Sequence, residues 1–266
     1  MARILSEGDF GPEVAALKQQ LNALGYDSGE GEAFDRRTAW AVCWFRYRNG
    51  LLKHKGWWPT RKTGLDANGA VADEAVLTLL QSEDAVHGVT ERFQYYSMKE
   101  PLWAEYPYDA ANTPEIERMQ NSACGPTSMA MAVSTALHRA VLPPVLADWS
   151  NAHGFRDPDG IHGTDDSFFP ACAEIYGLTA ELIPIENAQS FARAAEAIAA
   201  GNAVICNVVP GSPYTSCGHY NLISDVVEGR VQICDPVPKN MEIPAYTVEE
   251  WLAGGWGRHY IIVGKK

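Results

Sequence analysis

Cys124 lies in Gln120-Asn121-Ser122-Ala123-Cys124-Gly125-Pro126-Thr127-Ser128-Met129-Ala130-Met131. Proline suits the first turn of an α-helix, where its missing N–H leaves no bond unmade. The pattern therefore predicts a helix that begins at Cys124 and runs to about residue 139. At such a start the helix dipole and unpaired N–H groups favour a thiolate over a thiol. A thiolate is the form that attacks an acyl carbon. Gly125 is expected to let a substrate backbone come close. His219, in Ser216-Cys217-Gly218-His219-Tyr220-Asn221-Leu222-Ile223, stands where a strand begins. Asp235, in Ile233-Cys234-Asp235-Pro236, ends the following strand. Glu228-Gly229 supplies the tight turn between them. His219 and Asp235 are about 9 and about 6 residues from that turn, so a hairpin with room for a bulge sets both at one end. An imidazole held by a carboxylate keeps the tautomer that takes a thiol proton.

A metal is the competing chemistry. Asp157, Asp159, His162, Asp165 and Asp166 crowd one stretch. That stretch has no HExxH and no established zinc spacing, and it lacks the twelve-residue calcium loop with its terminal Glu. The reading is a solvated loop flanking the cleft, with no metal and no cofactor. The other five cysteines, 43, 172, 206, 217 and 234, form no CxxC pair. They are expected as structural free thiols, with a place lining the site as the alternative role for Cys217.

These residues need elements to hold them. Helices are also expected over 167–176, 189–200 (closed by Gly201) and 248–252, and strands over 203–209, 220–227, 230–234 and 259–263. Helices first and an antiparallel sheet afterwards is an α+β pattern.

The first 84 residues read as helical. Val14, Leu17, Leu21 and Leu24 form one apolar stripe ended by Gly25. Asp35 is an N-cap for a second helix carrying Trp40, Trp44 and Phe45 and ending at Asn49-Gly50. A third is expected from about Ala70 to Gln81. Gly8-Asp9-Phe10-Gly11-Pro12-Glu13-Val14, Leu17-Lys18-Gln19-Gln20-Leu21, Leu24-Gly25-Tyr26, and Ala33 to Val42 with Phe45 and Asn49-Gly50-Leu51 resemble the three-helix peptidoglycan-binding domain. Leu65 to Val71 resembles its final turn, with Ala72 in place of the last Gly. The resemblance implies peptidoglycan as partner. The stretch Leu52–Gly64 is longer than the family's usual connection; its Trp57 and Trp58 are candidate substrate-binding residues.

From Ser97 the pattern changes. Cys124 to Met131, Gly218-His219-Tyr220-Asn221-Leu222-Ile223 and Cys234-Asp235-Pro236 resemble the papain-like cysteine peptidases of the bacteriocin-leader-processing type and their broader relatives. Order, spacing and context agree over about residues 95–266. The resemblance implies a papain-like domain with Cys124 as nucleophile, His219 as base and Asp235 as orienting carboxylate. It also implies an oxyanion-hole side chain just before the cysteine. Gln120 is the candidate, Asn121 the fallback, and the Cys124 N–H the second donor; capping the helix start is the alternative role for either side chain. Gly218 is assigned to substrate contact. The expected organisation is 1–84 wall-binding, 85–96 connector and 97–266 catalytic, with a boundary soft enough for the parts to pack together.

The composition narrows the partners. Up to residue 84 there are 10 Lys+Arg against 12 Asp+Glu, and from residue 85 there are 11 against 21, so most of the net charge of −12 lies in the second part. Nucleic acid and anionic membrane both demand a basic face, which excludes them, and no apolar run reaches the roughly 20 residues that span a bilayer. Met1 to Asp9 shows no signal-peptide stretch. The expectation is a monomer made in the cytoplasm that acts on the cell wall after release. A phage-type endolysin that cuts stem-peptide or cross-link amides fits best. A secreted antibacterial effector, a metal-dependent amidase and a non-catalytic wall-binding protein are the other readings.

Overall fold

The computed structural model describes residues 3–52, 69–89, 91, 93–109, 117–158 and 163–266. Three helices come first: α1 (Pro12–Ala23), α2 (Arg36–Arg48) and α3 (Glu74–Leu79). Next are α4 (Met119–Ser122), α5 (Cys124–Leu137), α6 (Pro143–Ala152) and α7 (Phe168–Ile175). The chain then runs through β1 (Leu178–Pro184), α8 (Ala188–Ala199), β2 (Ala203–Val208), β3 (His219–Val227), β4 (Arg230–Cys234), α9 (Val248–Gly254) and β5 (Gly257–Lys265). The strands form one antiparallel sheet in the order β1-β5-β2-β3-β4. The fold is α+β, as the order of elements in the sequence implies.

Alternation along the strands divides the sheet's two faces. Ile205, Leu222 and Ile261 join Met129, Val133 and Phe169 of α5 and α7 in one core. Val204, Cys206, Ile223 and Tyr260 join Phe191 and Ile198 of α8 and Trp251 of α9 in a second. All six residues of β2 are buried, as befits a strand covered on both faces. Glu228 and Gly229 both take positive φ, 50° and 72°, the turn geometry that matches strand twist in a two-residue hairpin loop.

The signals read at helix ends, Gly25, Asp35, Asn49-Gly50, Pro126 and Gly201, stand at the ends of α1, α2, α5 and α8. The Asp35 carboxylate accepts from Thr38 N–H, and Asn187 and Thr247 cap α8 and α9 in the same way. The third helix is shorter than the expected 70–81. Ala72 exchanges backbone hydrogen bonds with Leu5 at 2.8 and 3.1 Å, which holds the chain extended until the Asp73 cap of α3. Besides the single turn of α4, two elements carried no clear pattern. β1 is an edge strand with only Leu178 and Ile183 buried, and α6 starts at Pro143-Pro144.

The N-terminal helices do not stand apart. Thr38 to Phe45 are all buried, leaving α2 no exposed face along that length. A helix apolar all round belongs in an interior, and α2 lies between α1 and α6. Trp40 meets Tyr106 edge-on at 5.2 Å, and Trp44 lies 5.5 Å from Trp103 and 6.1 Å from Tyr96. Ala140 N–H donates to the Gly25 carbonyl at 2.7 Å. Buried Asp27 pairs with Arg37 at 2.6 Å and Arg139 at 3.0 Å. One hydrophobic core runs from Leu5 to Val263.

Candidate active site

α5 opens at Cys124, after Ala123, and no side chain caps its first turn. Pro126 is its third residue, among the four whose N–H groups lack intrahelical partners. Neither Gln120 nor Asn121 caps α5, so their alternative role is not the one adopted. Cys124 is half-buried and stays open to solvent.

Gly125 has a different reason from the one the sequence suggests. A Cβ there would fall 2.7 Å from both Cβ and Oγ1 of Thr164. The close neighbour is thus a buried side chain of the chain itself, with Oγ1 hydrogen-bonded to Tyr108 Oη at 2.8 Å. Gly125→Ala is expected to cost about 1–3 kcal/mol of stability through overpacking and to displace Cys124. Thr164→Gly in the same chain should recover part of both losses. Melting and lytic activity of the single and double variants check this, and a single variant that behaves as wild type would refute the contact.

His219 is the first residue of β3 and Asp235 follows β4. A register shift between Ile223 and Asp225 gives a bulge, so that the ladder carried on past Leu222 and Cys234 sets Asp235 across from Asn221, on the face His219 shares. His219 Nε2 lies 2.8 Å from Asp235 Oδ1. With Nε2 so engaged, Nδ1 is the ring nitrogen left to face the thiol. Ser128 of α5 holds the Tyr220 carbonyl at 3.0 Å, so the start of β3 lies against α5, and the His219 imidazole and the Tyr220 N–H both act on the Cys124 thiol. Asp235 is fully buried. Its carboxylate accepts from Val237 N–H at 2.8 Å, Asn240 Nδ2 at 3.2 Å and Asn221 Nδ2 at 3.3 Å. A buried carboxylate with this many donors is held in place.

The electrostatics follow from these contacts. Burial opposes the thiolate, but the His219 hydrogen bond and charge outweigh it and lower the Cys124 pKa below its ordinary value. Burial also opposes the imidazolium, and Asp235 together with the thiolate raises the His219 pKa. The pair is therefore driven toward thiolate–imidazolium, a nucleophile with the leaving-group acid already charged.

Gln120 sits on α4 with Nε2 hydrogen-bonded to Glu105, which also pairs with Arg118. That uses one of the two N–H groups on the amide and leaves one for an oxyanion. Asn121 is exposed. Gly218 is half-buried with φ of 88°, next to His219, and Cys217 beside it is exposed. All six cysteines are free thiols. Trp57 and Trp58 lie outside the described residues, as do Asp159 and His162. Asp165 accepts from Ser167 N–H at 2.8 Å, and Asp166 from Tyr220 Oη. No metal-holding group of His, Cys, Asp and Glu occurs among the described residues, and no helix among them is long and apolar enough to cross a membrane.

Sequence reasoning missed Asn221, Asn240, Tyr220, Asn207 and His259. Asn221 had a signal, since it lies two residues after His219 on one strand and so shares its face. Tyr220 adjoins His219 and Asn240 follows Asp235 by five residues, while Asn207 and His259 are brought in by strands distant in sequence.

Residues 107–257, more than half the chain, match the family described as "Peptidase_C39 like family". Residues 10–53 match the one described as "Putative peptidoglycan binding domain". No curated protein matches. Among solved structures, the peptidase domain of the Streptococcus quorum-sensing ABC transporter ComA is 16% identical, with a TM-score of 0.41, over 59% of this chain and 100% of that one. A C39-like peptidase from Bacillus anthracis is 15% identical, with a TM-score of 0.41, over 55% and 90%. A fused zinc-dependent amidase/peptidase and peptidoglycan-binding protein from Clostridium acetobutylicum ATCC 824 is 19% identical, with a TM-score of 0.25, over 36% and 37%.

Proposed function

The chain belongs to the C39-like peptidase family, and from that premise we propose that it hydrolyses an amide of peptidoglycan, in the stem peptide or cross-link, with Cys124 as nucleophile. The observation that carries the chemistry is the line Cys124–His219–Asp235, with the imidazole 2.8 Å from a fully buried carboxylate. The wall as target is supported by the match of residues 10–53 to a peptidoglycan-binding family.

In this reading the Cys124 thiolate adds to the amide carbonyl. The oxyanion that forms takes the Cys124 N–H at the uncapped start of α5, and the Gln120 amide is the candidate second donor. His219, already charged, protonates the departing amine, and the bond to that nitrogen breaks to leave a thioester on Cys124. The neutral imidazole then takes a proton from water, whose oxygen attacks the thioester and releases the acid and the thiol. Asp235 holds the ring and offsets its charge throughout. Gly218, and Trp57 and Trp58 in the N-terminal part, are proposed substrate contacts. A binder fused to an amide-cutting part suits a lytic enzyme, because tethering raises the local concentration of substrate. The setting we favour is a phage-type endolysin.

Purified sacculi test this. Wild-type protein is expected to release fragments whose masses identify a broken amide, and Cys124→Ala none. Fragments that persist with Cys124→Ala, or that depend on zinc after chelation, would overturn the thiol mechanism.

The pH response has a definite sign. The reactive pair requires Cys124 deprotonated and His219 protonated. Activity should set in below the ordinary thiol value of 9.0 and persist above the ordinary imidazole value of 6.5. Asp235→Asn removes the charge that supports the imidazolium. The alkaline limb then moves down, and because the Asp235 charge also raises the Cys124 pKa, the acid limb moves down with it. A pH–rate profile of the variant displaced to lower pH is the expected result, with an unmoved alkaline limb counting against Asp235 as the orienting group.

A further inference from the structure

The mechanism above leaves unused a polar cluster on the sheet face that α5 and α7 cover. Tyr220, Asn207 and His259 lie in register across β3, β2 and β5, at 6, 9 and 7% exposure. All three converge on one oxygen, Asp166 Oδ1, although the His259 ring nitrogen makes no hydrogen bond there. The Tyr220 hydroxyl donates to it, His259 Nε2 lies 3.2 Å away, and Asn207 Nδ2 lies 3.5 Å away. The Tyr220 hydroxyl is also 3.4 Å from the carbonyl of Thr164, the residue seated on Gly125.

The backbone at this point needs such a hold. The ladder between β3 and β4 begins only at Leu222 opposite Cys234, so residues 219–221 are paired on the β2 side alone. The next ladder, β2 to β5, is itself irregular between Asn207 and Val208. The preceding Gly218 is in the left-handed region, which only glycine enters freely. Half-paired strand ends are where local opening begins. Beyond the β2 pairing and the bonds of His219 and Asn221 to Asp235, this stretch is tied to α5 and the turn before α7 by side-chain bonding: Ser128 Oγ to the Tyr220 carbonyl at 3.0 Å, and the Tyr220 hydroxyl to Asp166.

We propose that Tyr220 is a positioning residue for the nucleophile, its hydroxyl clamped on the Asp166–His259 pair so that the start of β3 presents both the Tyr220 N–H and the His219 imidazole to Cys124 Sγ. The proposal rests on the reading of Cys124 as nucleophile. Burial opposes charge on Asp166, but His259 and Tyr220 outweigh it and lower its pKa, so the clamp is a carboxylate and not a neutral acid.

Tyr220→Phe keeps the ring, which packs on Phe169 at 4.7 Å, and removes only the hydroxyl. The readout is iodoacetamide alkylation of Cys124 in the full chain as a function of pH, followed by mass spectrometry of the Cys124 peptide so that exposed Cys217 does not interfere. The acid limb should move up by about one pH unit, a tenfold loss of thiolate below the midpoint. On peptide substrate, kcat should fall while KM holds. Asp166→Ala should match Tyr220→Phe, and Asp166→Asn, which keeps an acceptor oxygen for the hydroxyl, should recover most of the wild-type profile. A Tyr220→Phe profile identical to wild type, with both proteins folded by circular dichroism, overturns the positioning role alone. A wild-type Cys124 that titrates in the ordinary thiol range overturns the active-site reading beneath it.

Discussion

Cys124→Ala is expected to lower hydrolysis of sacculi by a factor on the order of 10⁴ to 10⁶, the range seen when a covalent nucleophile is removed from a catalytic set that acts as a unit. The size follows from the arrangement and not from the thiol alone. His219 is buried between Cys124 and Asp235, and without the sulfur it has no proton to take and no intermediate to resolve. Removal of Cys124 therefore silences His219 as well, and the double variant Cys124→Ala/His219→Ala should be no slower than the single one. Binding is a separate matter. The segment that matches a peptidoglycan-binding family spans residues 10–53, which include none of these three residues, so Cys124→Ala should still sediment with sacculi as wild type does. Turbidity loss and co-sedimentation, measured on the same preparation, separate the two. Lysis that survives the substitution would end the proposal.

The second large effect is on stability. Trp44→Ala is expected to destabilise the protein by about 3–5 kcal/mol, the usual range for truncating a buried large aromatic. Trp44 is 6% exposed and touches rings from both parts of the chain: Tyr47 on its own helix, and Tyr96 and Trp103 beyond the N-terminal helices. Because that core is continuous, the loss should not stay in the N-terminal helices. Calorimetry should show one cooperative transition for wild type and one, at lower temperature, for the variant. Two transitions, with only one moved by Trp44→Ala, would show that the parts unfold independently and that the shared core contributes little.

Much of this architecture was legible because its signals are local. An N-cap acts on N–H groups two or three residues away, which is why Asp35 marked α2, and a proline is at ease in a helix's first turn, which is why Pro126 marked the start of α5. A two-residue turn sets strand register on either side, which is why Glu228-Gly229 already put His219 and Asp235 at one end of a hairpin. Edge strand β1 escaped because only two of its seven residues are buried, so it lacks the alternation that marks a half-buried strand. Gly125 was read as room for substrate because a glycine's neighbours in space are not written beside it.

By itself, then, the sequence determined the elements, the α+β order and the nucleophile, base and carboxylate as candidates, since helix starts, turns and apolar periods depend on residues within a few positions. Tertiary structure alone decided the rest. It placed Thr164 against Gly125, set Tyr220 on Asp166 across 54 residues of chain, and merged the N-terminal helices with the catalytic part through α2. Each of these is a contact between segments whose separation in sequence carries no distance information. Each exists because burying a polar group requires a partner and burying an aromatic face requires another surface to meet it.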